Sequence, residues 1–63
     1  MPVILFHGPK MTKEQKQELV KEFAATTSRI TKIPTEAIVT IIEEVDSENV
    51  GVGTTLLVDK KKS

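Results

Sequence analysis

The chain has 63 residues, nine Lys plus Arg balancing nine Asp plus Glu, no cysteine and one histidine. At this length folding hides only about 60% of the surface that an unfolded chain exposes, so a lone subunit is marginal. With disulfides excluded, a structural metal set not available from a single histidine, and too little basic surface to hold a phosphate backbone, the remaining aid is association with further copies.

Residues 2 to 7 read as a strand, because Val3, Ile4, Leu5 and Phe6 form a continuous apolar run that stops at His7, Gly8 and Pro9. Thr12 and Gln15 have the spacing of a capping box, which places a helix start near Lys13. From there Leu19, Val20, Phe23, Ala24, Thr27 and Ile30 recur at helical spacing, with Lys13, Lys16, Gln17, Lys21 and Glu22 mostly on the other side. Pro34 disfavours helical geometry at Ile33, so the helix closes near Lys32. Ile38 to Val45 is β-branched and apolar up to Glu43 and Glu44 and reads as the second strand. Asp46 to Asn49 is turn chemistry, Gly51 and Gly53 suit a tight bend or small hairpin, and Thr54 to Val58 follows as a short third strand.

Strand, helix and strand in succession imply a right-handed crossover and parallel strands. The expected class is α/β, or α+β in some schemes: one domain over residues 1–63, a single βαβ unit with two parallel strands, one long helix and a short C-terminal β-hairpin. One helix covers one face of such a sheet, yet both faces are apolar, and parallel sheets occur almost only with both faces buried. A homo-oligomer is therefore expected. The Lys60, Lys61, Lys62 run reads as solvated, and neither nucleic acid nor membrane is an expected partner, since no apolar stretch approaches the ~20 residues of a membrane span. Without a leader pattern the expected location is the cytoplasm.

Chemistry is scarce. There is no nucleophilic cysteine, no phosphate-cradling loop and no metal-ligand cluster, and His7 lacks triad partners. Glu43 and Glu44 are adjacent on a strand, so they point to opposite faces and do not form an acid–base pair. Pro2 stands apart. With Met1 attached its nitrogen belongs to an amide, which is not a base; once Met1 is trimmed it is a secondary amine at the end of a buried strand, where desolvation favours the neutral, basic form. The plain alternative is a proline that suits the first position of a strand.

Met1-Pro2 before an apolar strand, the helix opening Glu14-Gln15-Lys16 with Leu19, the pair Ser28-Arg29, Pro34, Ile41-Ile42 with Glu44, and Val50-Gly51-Val52-Gly53 stand in an order and spacing that resemble the 4-oxalocrotonate tautomerase family over nearly the whole chain. The resemblance implies small βαβ subunits assembled as dimers and commonly as hexamers. It implies a trimmed amino-terminal proline acting as general base, here Pro2, on an enol or unsaturated keto acid, with no metal or organic cofactor. Family members that act on dicarboxylates carry two arginines and a phenylalanine at the positions that read Met11, Val39 and Val50 here. An apolar side chain does not replace a guanidinium that binds carboxylate bidentately. Lys10 and Lys32 are the nearby cations that stand as candidates for a single substrate contact. The expectation is a tautomerase or isomerase with a largely apolar pocket for a small neutral or monoacid substrate. The alternatives are a non-catalytic oligomer that keeps the fold and a small binding module using the lysine tail.

Overall fold

The fold is built around two parallel strands, β1 (Val3–Gly8) and β2 (Val39–Glu44), joined by the long helix α1 (Lys13–Thr31). It is seen in a computed structural model that describes residues 1–60. The strands run in register from Val3 opposite Val39 to Gly8 opposite Glu44. The βαβ unit with a C-terminal hairpin is the architecture that the apolar periodicities require.

Local chemistry sets the bounds of α1. Thr12 Oγ1 accepts from the Gln15 amide at 3.1 Å, and Gln15 Oε1 accepts from the Thr12 amide at 2.9 Å, so two amides at the helix start are satisfied reciprocally. At the far end Lys32 turns into the left-handed region (φ 65°), where its amide reaches the Ser28 carbonyl at 2.8 Å. Pro34 then begins the Thr35–Ala37 turn, and the Ile38 amide closes that turn on the Thr35 carbonyl at 3.1 Å. The second strand therefore starts one residue later than the apolar run does.

Burial alternates along the sheet. Ile4, Phe6, Thr40 and Ile42 lie half-buried on the side of α1, where the rings of Phe6 and Phe23 meet at 5.9 Å between centroids, tilted by 48°. Val3, Leu5, Val39 and Ile41 occupy the other face with nothing over them; Leu5 is 61% exposed. Among the described residues none is fully buried. Ile30, expected on the inner side of the helix, is instead 65% exposed. The reason is length: a helix of 19 residues runs ~28 Å, whereas a strand of six runs ~20 Å, so the last turn overhangs the sheet.

The third strand is also shorter than its β-branched composition implies. It is the second arm of a hairpin, β3 (Gly51–Val52) and β4 (Thr55–Leu56), whose two-residue turn uses Gly53 at φ 65°. The Leu57 amide still reaches the Val50 carbonyl across the hairpin at 2.8 Å, but the ladder ends there because the Val50 amide is engaged in closing the Ser47–Asn49 turn. Beyond that point the chain satisfies its own amides as one helical turn, α2 (Leu57–Lys60), where a strand to Val58 was expected.

Candidate active site

The expected site residues divide between the two ends of the sheet. At the start of β1 the Pro2 carbonyl accepts from the Val39 amide at 3.0 Å, which fixes Pro2 to the neighbouring strand while its ring stays half-buried. Met1 extends beyond it, 87% exposed. Lys32, as the cap of α1, belongs to this end because the helix returns the chain to the start of β2.

At the opposite end, where both strands finish, lies a cleft of about 700 Å³. His7, Gly8, Pro9 and Lys10 form one wall as the chain leaves β1; Val45, Asp46, Ser47 and Val50 form the other as it leaves β2; Leu57 contributes from α2. Lys10 and Val50 are thus brought together, while Pro2, Val39 and Lys32 are not with them. Met11 sits outside the cleft and lines a separate shallow hollow with Gln15 and Leu19 of the helix. Along β1 the two ends are ~20 Å apart.

Two carboxylates organise the cleft end, and they do so on opposite faces. Glu43 Oε1 meets His7 Nδ1 at 3.1 Å on the open face, as expected for a cross-strand pair in this register. Glu44 Oε2 takes the Lys16 ammonium at 2.7 Å and the Met11 amide at 3.2 Å, tying the loop before α1 to the end of β2. The Lys16 ammonium, followed by the Met11 amide, holds the Glu44 carboxyl below the usual carboxylate range. Lys16, expected to point at solvent, is thereby half-withdrawn from it.

Sequence reasoning missed that His7 and Asp46 line one cleft and that Glu44 ties the loop before α1 to the end of β2. Asp46 was legible only as turn chemistry. The His7–Glu43 contact follows once the parallel register is known, because those residues stand opposite each other.

A family model described as "Tautomerase enzyme" matches residues 2–60, so it begins at Pro2 and spans the whole described fold except Met1. The chain belongs to the 4-oxalocrotonate tautomerase family. Among solved structures it is similar to DmpI from Archaeoglobus fulgidus, with 36% identity over 92% of this chain and 100% of that one at a TM-score of 0.85. DmpI from Helicobacter pylori shares 30% identity over 98% of each chain at a TM-score of 0.88. TomN, a 4-oxalocrotonate tautomerase homologue in the tomaymycin biosynthetic pathway, shares the fold at a TM-score of 0.91 with 22% identity, over 98% of this chain and 97% of that one. No curated protein matches the chain. A tautomerase-family fold supports a tautomerase-like function of isomerase type. No described helix is long and apolar enough to cross a membrane.

Proposed function

We propose that the protein is a tautomerase acting on a small neutral or monoacid enol or keto compound, with Pro2 as general base after removal of Met1. The observation that carries this reading is the position of Pro2 at the start of β1, directly after an exposed Met1, within a family match that begins at that residue. A secondary amine held there by the Val39 amide accepts a proton from carbon next to a carbonyl and returns it elsewhere on the enol. Lys10 supplies one cation at the cleft, and Val50 part of its apolar lining.

Pro2 and the cleft lie too far apart in one subunit to act on one small molecule. A site using both therefore takes Pro2 from one copy and the cleft from another, and the open apolar face of the sheet favours such an assembly, a hexamer being the arrangement carried over from the family. Met11, Val39 and Lys32 are the remaining contacts proposed around the substrate.

The test is ketonisation of the enol of phenylpyruvate by protein shown by intact mass to lack Met1. Replacing the base in Pro2→Ala should lower the rate ~100-fold or more. Activity that is unchanged in this variant would remove Pro2 from the mechanism. The rate should also decline on the acid side of the ordinary range of an amino-terminal amine, about 7.7–8.0.

The second reading, an oligomer without catalysis, is favoured by the apolar Met11 and Val39 where dicarboxylate-binding relatives are expected to hold arginine; it predicts an intact assembly with no turnover of any enol or keto acid. The lysine-tail reading rests mainly on Lys61 and Lys62, which lie outside the described residues.

A further inference from the structure

The cleft at the ends of β1 and β2 carries two charges of opposite sign that make no contact-distance ion pair among the described residues, although the Lys10 ammonium is felt at the Glu44 carboxyl. Lys10 projects from the segment after β1, and Asp46 from the segment after β2. Asp46 stands before the Ser47–Asn49 turn but its carboxylate caps no amide there. Beside them at this end, His7 is matched with Glu43 and Lys16 with Glu44. The same cleft is lined by the apolar Val45, Val50 and Leu57, with His7 and Ser47 as its other polar side chains.

Size and chemistry together define what fits. About 700 Å³ lies within the usual range for small-molecule pockets, ~300–1,000 Å³. A lysine ammonium is a point charge that takes one carboxylate. An apolar body extending from that carboxylate meets Val45, Val50 and Leu57, while a second carboxylate at its far end meets Asp46, with no second lysine or arginine among the described residues that line the cleft.

We propose that Asp46 is a specificity-determining residue: with Lys10 opposite, it makes the cleft select monocarboxylates with an uncharged apolar body and reject dicarboxylates. This rests on the tautomerase reading for the identity of the cleft as the substrate pocket. Selection here works by a repulsive element built into the site as well as by the lack of a second lysine or arginine among the described lining residues.

The test uses two rigid acids that differ only at the far end, cinnamate and 4-carboxycinnamate, titrated into the Met1-trimmed assembly by NMR or calorimetry. Wild type should bind cinnamate ~tenfold more tightly than the dianion at low salt, and the gap should shrink at high salt as the charges are screened. Asp46→Asn should narrow the gap to ~threefold or less by strengthening the dianion alone. Lys10→Gln should weaken both acids. The asparagine keeps the turn residue type, and circular dichroism verifies that both variants fold.

Equal binding of the two acids to wild type, an unchanged gap in Asp46→Asn, or binding of neither acid would each overturn the proposal. Failure of the tautomerase reading looks different: the binding gap and its loss in Asp46→Asn persist while the enol of phenylpyruvate is not turned over.

Discussion

The two faces of the parallel sheet have nearly the same side chains and opposite circumstances. Ile4, Phe6, Thr40 and Ile42 lie beneath α1, whereas Val3, Leu5, Val39 and Ile41 lie beneath nothing. Hydrophobicity alone does not distinguish them; what differs is that the chain contains one long helix and therefore one covering layer. The comparison teaches that a strand apolar on both sides, in a chain too short to supply two layers, encodes an interface as directly as it encodes a core.

The sharpest way to break that comparison is Leu5→Lys, which puts an ammonium in the middle of the uncovered face. Burial of an unpaired charge should weaken association ~100-fold or more, and sedimentation should show the 7.0 kDa subunit at concentrations where wild type is associated. An assembly of unchanged mass would show that this face is not the interface.

The covered face offers a smaller effect of the opposite sign. Thr40 Oγ1 is buried without a hydrogen-bond partner, so Thr40→Val, which removes an unsatisfied hydroxyl, should raise stability by about 1 kcal/mol. Urea unfolding measures it, and a loss of stability would mean that the hydroxyl is served by a partner.

The smallest change is expected at Glu44, which is exposed. Its carboxyl is held below the usual range by Lys16 and Met11, so its contribution is present above the unfolded carboxylate pKa and disappears as pH falls through the depressed folded value. Wild type should therefore be slightly more stable than Glu44→Gln at neutral pH, and urea midpoints of the two should converge as pH is stepped down toward ~3. A difference that stays constant with pH would assign the effect to packing.

Elements governed by neighbouring residues were legible in the sequence. Thr12 and Gln15 announce the start of α1, Pro34 its end, and the apolar runs the two strands. Features that depend on how lengths and ends match in space were not. Ile30 keeps the helical spacing of an inner residue but overhangs a shorter sheet, and Leu57 to Lys60 coils because the partner strand of the hairpin runs out at Gly51. The same limit applies to the site. Pro2 was visible from its place after Met1, and Lys10 from its place before the helix, but their separation to opposite ends of the sheet is a property of the fold. The placement of Lys10 and Asp46 on one cleft joins segments 36 positions apart, and neither residue type marks it locally.

The lack of any fully buried residue among those described has a thermodynamic consequence. Where a subunit has so little interior of its own, folding and association become one equilibrium, and the unfolding midpoint moves with protein concentration. Each tenfold dilution removes about 1.4 kcal/mol from an association step. For such a chain, adding buffer is a form of denaturation.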